Sequence, residues 1–378
     1  MLGKRPNGEL TVTRRKALEG AVAVGTFVAL RSGRAYSADW QSGAGSKWSE
    51  TLAAARKEGR VVIAGRAGLA KPLSEAFKRD TGLELDFLEG NGAEQTSRVK
   101  LELQAGKVTI DGLLGGAANT DLIAPGLVEP IKDRLMLPGV TNPASWQDGD
   151  IKWLDNAKKY MPIPSETVVG WPVVNARLVP SGSLRSWQNL LSPQYTGKIA
   201  MFDPRILGAG QAVAAYLVEI LGFEYLRKIL IDQKATLTRD ARQLVEWVAR
   251  GSYSVGLGAI QSNVERLKDA GLDVRVDDLE DGHGFLLGGN SVMWIPKGPP
   301  HPNATTVFAN WYLSQPAQEI YARADLSFSR RTDVSADFLP DYIRPKPNLQ
   351  YFDQYRETWY VEARPKLQKM ILDAFGGR

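Results

Sequence analysis

The sequence contains no cysteine and only two histidines, His283 and His301, among its 378 residues. The absence of cysteine excludes a disulfide-bonded scaffold, an anchor attached through cysteine, a thiol nucleophile and any thiolate-ligated metal. The histidines do not form a pair with metal-ligand spacing, and the motifs of serine hydrolases, zinc proteases and phosphate-binding loops are absent. The sequence therefore predicts no catalytic residue, no metal site and no cofactor, and so a protein that is not an enzyme.

A basic surface is also lacking, although the formal net charge is +5. Residues 1–37 hold seven Lys or Arg and two Glu, which accounts for the whole excess. The remaining chain is balanced, with 40 basic and 40 acidic residues. The charge distribution thus argues against a nucleic-acid partner.

The N-terminal stretch "TRRKALEGAVAVGTFVAL" places Arg14 and Arg15 before an apolar run, and the small residues of "GRAYSAD" follow. The run has about a dozen residues, too few for a bilayer, which needs roughly 20. This layout predicts an export signal of the twin-arginine type over 1–37, removed after Ser37. An amphipathic N-terminal helix or a retained anchor is the alternative. Export and the lack of cysteine both favour the periplasm.

Helical and strand patterns alternate through the rest of the chain. "WSETLAAARKEG" is amphipathic and ends in glycine, "RVVIAG" is a short apolar strand, and "KPLSEAFKRDTG" is again helical. Further on, a long helical pattern is interrupted at Pro316. Strands alternating with helices of this length predict crossover units, and hence an α/β fold with mainly parallel sheets.

Glycine-rich or polar turns follow five of the predicted strands, and each turn leads into a helix. In open α/β sheets, ligands bind at the C-terminal ends of the strands, beside helix N-termini whose free N–H groups attract anions. We therefore predict that these turns converge on one cleft. The predicted ligand-binding residues are Arg66, Asn91, Asn119, Trp171, Arg205, Gln211, Gln261 and Ser262.

Each of these residues also has a structural interpretation. The two arginines suit a carboxylate or phosphate, but they can equally pair with a neighbouring acid. The two asparagines and Gln211 are also suitable turn and cap residues. Trp171 is either a stacking wall for a ligand or part of the core beside Pro172.

Several segments together resemble the extracellular solute-binding proteins of bacterial ABC importers. The resemblance rests on "LAAARKEGRVVIAG", "LSEAFKRDTGLELDF", "SWQNLLSPQYTGKIAMFDP", "VARGSYSVGLG" and "IPKGPPHPNATTVFANWYLSQPAQEIYA". It runs from about residue 48 to about residue 332 and is strongest in the last segment. The subgroup that these segments resemble includes binders of ferric iron, thiamine, polyamines and aminoethylphosphonate.

This resemblance implies a two-lobed type 2 periplasmic-binding-protein fold, with a ligand cleft between lobes that close by a hinge motion. It places the first lobe at 39–155 plus 290–345, the second at 156–289, and a C-terminal tail at 346–378. The return hinge is predicted at "GGNSVMW". The implied partners are a membrane permease and its ATPase. The binding protein itself is predicted to be a monomer that contacts the membrane only through the permease.

The resemblance also separates possible ligands. Iron binders of the subgroup carry a tyrosine pair at a position where this chain has Gln261 and Ser262. Neutral Gln and Ser are poor donors for ferric iron, which prefers anionic oxygen. The predicted ligand is therefore a small organic anion, either a carboxylate or a phosphate or phosphonate ester. The alternatives are a ferric-iron binder with a different ligand set and a secreted enzyme on the same scaffold.

Overall fold

A computed structural model describes residues 40–376 apart from 91, 207, 347 and 348, and it describes only the backbone of residues 92, 93, 117 and 118. The predicted export signal therefore lies outside the described residues. The helices are α1 (Ser46–Glu58), α2 (Ala70–Thr81), α3 (Gly92–Gln104), α4 (Pro138–Thr141), α5 (Ala209–Leu221), α6 (Phe223–Leu230), α7 (Ala241–Ala249), α8 (Gln261–Asp269), α9 (Pro302–Tyr312), α10 (Gln315–Asp325) and α11 (Arg364–Phe375). None of the helices in the described part of the chain is long and apolar enough to cross a membrane.

Most of the strands between these helices are short. They are β1 (Arg60–Gly65), β2 (Glu84–Glu89), β3 (Gly112–Leu114), β4 (Val128–Glu129), β5 (Ser165–Val169), β6 (Val173–Asn175), β7 (Ile199–Phe202), β8 (Thr236–Thr238), β9 (Val255–Leu257), β10 (Val274–Val276), β11 (Phe285–Leu287), β12 (Met293–Pro296), β13 (Phe328–Ser329) and β14 (Phe352–Asp353). Short 3₁₀ turns and one π-helical turn, Trp359–Ala363, connect several of them.

The first lobe is built on a five-stranded sheet with the order β2-β1-β3-β12-β4. Strand β1 is buried along almost its whole length, which its apolar sequence "RVVIAG" explains. Helices α1, α2, α9 and α10 pack around it, and their buried side chains include Trp48, Phe77, Phe308 and Trp311. The predicted apolar face of α1 is confirmed, since Trp48 and Ala55 are buried.

The second lobe is built on a sheet with the order β10-β6-β9-β7-β8. Helices α5 to α8 surround it, and the largest buried side chains of its core include Trp187 and Tyr216. In both five-stranded sheets two pairings are parallel and two antiparallel. The sheets are thus mixed rather than mainly parallel, because strands that enter each lobe from the other one run against its own crossover strands.

A third, four-stranded sheet with the order β13-β5-β11-β14 contains both strands, β5 and β11, that run between the lobes. They are antiparallel, with Val169 opposite Phe285 and Thr167 opposite Leu287. On β5, the fully buried Glu166 accepts from Lys152 Nζ at 2.5 Å and from Arg330 Nη1 at 3.0 Å. The charge of this buried carboxylate is therefore compensated on two sides.

The helical pattern around Pro316 divides into α9 and α10, as the proline predicts. Ser314 is the N-cap of α10, and Pro316 lies in the first turn, where its missing N–H breaks no hydrogen bond. At the other end of α10, Leu326 adopts a left-handed conformation with φ of 50°. This conformation is uncommon for leucine, and it turns the chain sharply after Asp325.

The C-terminal segment contacts both lobes. Tyr355 belongs to a buried cluster with Trp294 of the first lobe, and the π-helical turn contacts the 3₁₀ turn at Ala117–Leu122. Helix α11 instead packs its buried side chains into the core of the second lobe, against α5. The tail after β14 therefore adds a connection between the lobes beside β5 and β11.

Candidate functional site

A cavity between the two lobes brings together the ends of several elements. It encloses about 850 Å³ of empty space, a volume that includes a part open to solvent. Its lining residues are Arg66, Thr167, Val169, Gly170, Trp171, Ala209, Ala212, Val213, Gly258, Ala259, Ile260, Gln261, Ser262, Phe285, Leu287, Asn290, Ala324, Asp325 and Leu326. Most of these side chains are apolar, with a few polar groups among them.

The floor of the cavity is the pair of strands that join the lobes. Alternate residues of a strand face the same side, and Thr167 and Val169 of β5 and Phe285 and Leu287 of β11 all line the cavity. The intervening Val168 instead packs in a hydrophobic cluster on the other face. The alternation of side chains along the two strands therefore makes the cavity floor apolar, except for the hydroxyl group of Thr167.

Arg66 follows the last residue of β1 and forms an ion pair with Asp325. The preceding residue, Gly65, leaves room for Phe87, because a Cβ there would lie 2.6 Å from Phe87 Cζ. Burial lowers the pKa of the Arg66 guanidinium, but the interactions with Asp325 and Tyr321 raise this pKa by more than burial lowers it. The guanidinium therefore stays charged. Its Nε is buried and has no hydrogen-bond partner among the described residues. The ion pair thus leaves one donor of the guanidinium unused.

Two helices begin at the cavity wall. Helix α5 starts at Ala209 and α8 at Gln261, both lining residues, and neither helix has a side-chain cap at its N-terminus. The first N–H groups of a helix lack partners within it and form the positive end of its dipole. This wall of the cavity therefore favours negative charge.

Trp171 combines the two roles that its sequence allows. It is 7% exposed and packs with Val168, Phe328 and Ile343, and it also lines the cavity. Its indole Nε1 is buried without a hydrogen-bond partner among the described residues. The side chain is thus part of the core and also part of the cavity wall, and its indole N–H is an unused donor.

Of the eight predicted residues, the structure brings four to this cavity. They are Arg66, Trp171, Gln261 and Ser262. Gln261 Nε2 also donates to Leu326 O at 3.4 Å, so a second-lobe side chain reaches the turn after α10 across the cavity.

Arg205 is not among the described residues that line the cavity. Its Nε and Nη2 each donate to Asp203 at 2.8 Å, and its Nη1 donates to Phe375 O of α11 at 3.3 Å. Asp203 also accepts from Arg239 Nε at 3.2 Å. The guanidinium of Arg205 is therefore bound within its own turn, because the buried carboxylate of Asp203 lies two residues earlier. This is the pairing that the sequence left open as the alternative.

We expect Asp203→Asn to lower the free energy of unfolding by roughly 2 kcal/mol at neutral pH, since it weakens charge-assisted hydrogen bonds. Burial raises the pKa of the Asp203 carboxyl, but hydrogen bonds from Arg205 and Arg239 outweigh this effect and hold it below 3.8. A carboxyl with a depressed folded-state pKa stabilises the protein above its unfolded pKa, and this contribution is lost as the pH falls through the folded value. Urea unfolding should therefore show the difference between wild type and variant shrinking below about pH 4. A difference that is constant with pH would contradict the assignment.

Gln211 and Asn119 also contact other parts of the protein. Gln211 lies on α5 but accepts from Arg364 Nε at 3.0 Å and donates to Gln368, both on α11. Asn119 is fully buried and donates to Thr96 Oγ1 at 3.2 Å within the first lobe. Neither is among the described residues that line the cavity. Asn91 lies outside the described residues.

Several polar lining residues, above all Asp325, are not among those that the sequence pattern predicted. It is the last residue of α10, and its side chain is 5% exposed. An acid at a helix C-terminus faces the negative end of the dipole, and this unusual position was the signal available in the sequence. Thr167 and Asn290 lie on or beside the connecting strands and carried no comparable signal.

A profile of the family described as bacterial extracellular solute-binding protein matches residues 73–344. The chain belongs to this family. The resemblance seen in the sequence is thereby confirmed, and the cavity is the candidate solute site of a solute-binding protein. No curated protein sequence matches the chain significantly.

Several solved structures share the fold at low sequence identity. The periplasmic binding protein AfuA from Actinobacillus pleuropneumoniae, with fructose-6-phosphate bound, is 19% identical with a TM-score of 0.61, covering 84% of this chain and 99% of its own. Iron-bound HitA from Pseudomonas aeruginosa is 16% identical with a TM-score of 0.60, covering 82% and 99%. The Trichodesmium protein IdiA (FutA), in complex with iron and citrate, is 18% identical with a TM-score of 0.63, covering 84% and 99%. These similarities confirm the two-lobed periplasmic-binding-protein fold.

The donor set of the cavity bears on the iron alternative. Within the described part of the chain, no group of three or more His, Cys, Asp or Glu side chains is placed to hold a metal ion. Asp325 is the one carboxylate among the described lining residues, and no tyrosine is among them. Gln261 and Ser262, which the resemblance aligns with the tyrosine pair of iron binders, do line the cavity.

Proposed function

We propose that the protein is the solute-binding component of an ABC import system and captures a small organic anion in the cavity between its lobes. The observation that carries this proposal is a pair of buried N–H donors without a hydrogen-bond partner among the described residues, which belong to two residues that line one cavity, Arg66 and Trp171. A buried donor without an acceptor is costly, and native proteins rarely keep one without a reason. A solute with acceptor oxygens supplies that reason for both donors at once.

The cavity wall indicates that those oxygens carry negative charge. Arg66 and the uncapped starts of α5 and α8 favour negative charge on the solute. Gln261 and Ser262, at the start of α8, supply neutral hydrogen-bonding groups beside them. A carboxylate or a phosphate or phosphonate ester has this chemistry.

The apolar lining of the cavity indicates that the rest of the solute is apolar. Trp171, Phe285, Val213 and Leu287 surround the space beside the polar groups. Small-molecule sites of this kind use a few polar groups for orientation and apolar surface for affinity. The solute is therefore an organic anion with an apolar body rather than an inorganic ion.

We further propose the partners and the location, for which family membership is the support. A solute-binding protein delivers its ligand to a membrane permease that is driven by an ATPase, and it acts in the periplasm as a monomer after export by the N-terminal signal. The protein binds its solute and releases it unchanged, without catalysis.

Thermal unfolding of the purified protein against a panel of carboxylates, phosphate esters, neutral sugars and ferric iron tests this function. Because a ligand at 100 times its Kd stabilises a protein by about 2.7 kcal/mol, a binding anion should raise Tm clearly. We expect Tm to rise with at least one class of organic anion and to stay constant with neutral sugars. Stabilisation by ferric iron or by neutral sugars alone would contradict the proposal.

A further inference from the structure

Asp325 places a carboxylate inside the proposed anion site. Its side chain is 5% exposed and pairs with Arg66, and both residues line the cavity. Burial raises the pKa of the Asp325 carboxyl, and the ion pair with Arg66 counteracts only part of this effect. The Asp325 carboxyl group is thus a buried acid that is paired with Arg66, in a position where a solute can contact it.

The fixed charges of the cavity cancel. Among the described lining residues, Arg66 is the basic one and Asp325 the acidic one. A solute with only an anionic group would therefore add an uncompensated negative charge beside a buried carboxylate. Alternatively, that solute would take Arg66 from Asp325 and leave the carboxylate buried without its counter-ion. Both arrangements are unfavourable in an environment of low polarity.

The helices give the cavity two electrostatic ends. The uncapped N-termini of α5 and α8 form a positive end. The last turn of α10 forms a negative end, where Ala324, Asp325 and Leu326 all line the cavity. A cation is favoured at a helix C-terminus, and the Asp325 carboxylate strengthens this preference.

The negative end is held in place by contacts from both sides. Leu326, in its left-handed conformation, offers its carbonyl oxygen to Thr167 Oγ1 at 3.3 Å and to Gln261 Nε2 at 3.4 Å. These hydrogen bonds connect the end of α10 to the floor and to the start of α8. The position of Asp325 in the cavity is therefore determined by the fold rather than by its pair with Arg66 alone.

We propose that the solute is a zwitterion, with an ammonium group that binds Asp325 and an anionic group that binds the Arg66 and Trp171 donors. This inference rests on the proposed function, because the anionic group is still required. It adds that Asp325 determines specificity, since it selects solutes in which a cation accompanies the anion. A zwitterion leaves the total charge of the occupied cavity at zero.

Matched pairs of probes that differ only by the ammonium group test this inference. Hydrocinnamate and phenylalanine form one pair, and ethyl phosphate and phosphoethanolamine form another. Isothermal titration calorimetry on the full-length protein should show the ammonium-bearing member of at least one pair binding about tenfold tighter or more. This comparison uses the wild-type protein alone, so it does not depend on the folding of a variant.

The variant Asp325→Asn should reduce the ratio of the two Kd values in a pair to less than about threefold. It should weaken binding of the zwitterion and leave binding of the plain anion unchanged. Asp341→Asn is the matched control, because Asp341 is 94% exposed and its loss should leave the ratio unchanged. Plain anions that bind the wild type as tightly as their zwitterions, or a ratio that Asp325→Asn leaves intact, would overturn the inference and leave the proposed function standing. No binding by any member of any pair would overturn the inference, and the proposed function would also be overturned if no organic anion of the thermal unfolding panel raised Tm.

Discussion

Replacing Arg66 by Gln should weaken binding of the organic anion that stabilises the protein most by about 100-fold, or about 2.7 kcal/mol. Glutamine keeps a hydrogen-bonding group on a shorter side chain, but it loses the charge and the guanidinium, whose Nε is buried and unused among the described residues. Loss of one partner from a buried, charge-assisted hydrogen bond costs this much in binding. Isothermal titration calorimetry at neutral pH measures the change directly.

Arg60→Gln is the matched control for that experiment. Arg60 begins the same strand that Arg66 follows, and its side chain is 57% exposed in an ion pair with Asp86. Exposed ion pairs contribute about 0–1 kcal/mol to stability, so this variant should fold and bind as the wild type does. If Arg66→Gln stays folded and binds the anion within threefold of the wild type, Arg66 is not the anion contact.

Replacing Gly210 by Ala should lower the free energy of unfolding by about 3 kcal/mol, at the upper end of the usual cost of overpacking. Gly210 is the second residue of α5, and a Cβ there would lie 2.3 Å from Phe202 O and 2.7 Å from Asp203 O. These neighbours are backbone atoms, which cannot rotate away. The start of α5 must shift instead, and its cavity-lining residues move with it. The variant should therefore also bind the organic anion more weakly.

Gly139→Ala separates the steric effect from helix propensity. Gly139 also lies in a helix, α4, but a Cβ there would have nothing within 4 Å. Alanine in a helix is more favourable than glycine by about 1 kcal/mol, so this variant should be neutral or slightly more stable. Urea unfolding of both variants measures the difference, and equal changes in stability would mean that close packing at Gly210 is not the cause.

The spacing of apolar residues and the positions of glycine and proline predicted much of the fold. The apolar face of α1 and the division of α9 from α10 at Pro316 both follow from local sequence, since a helix face and a proline act over a few residues. The mixed strand directions were not predictable in this way. Strand β12 returns to the first lobe and pairs antiparallel with β3 about 180 residues earlier in the chain, a distance over which local patterns carry no information.

The candidate site was predictable to the same extent. Arg66, Gln261 and Ser262 lie at the cavity because they follow strands of their lobes, as the turn rule expects. Arg205 obeys the same rule but lies beside Asp203, which takes its guanidinium. Asp325 reaches the cavity from a position 259 residues beyond Arg66, so only the folded chain shows that the two are partners.

The alternation of side chains along β5 couples the cavity floor to a buried group of charges. One face of this strand supplies Thr167 and Val169 to the cavity floor, and the other places Glu166 against Lys152 and Arg330. The cavity floor and this buried ion-pair cluster are therefore opposite sides of one strand. A displacement of β5 on one side would move the other side with it, across a single layer of backbone.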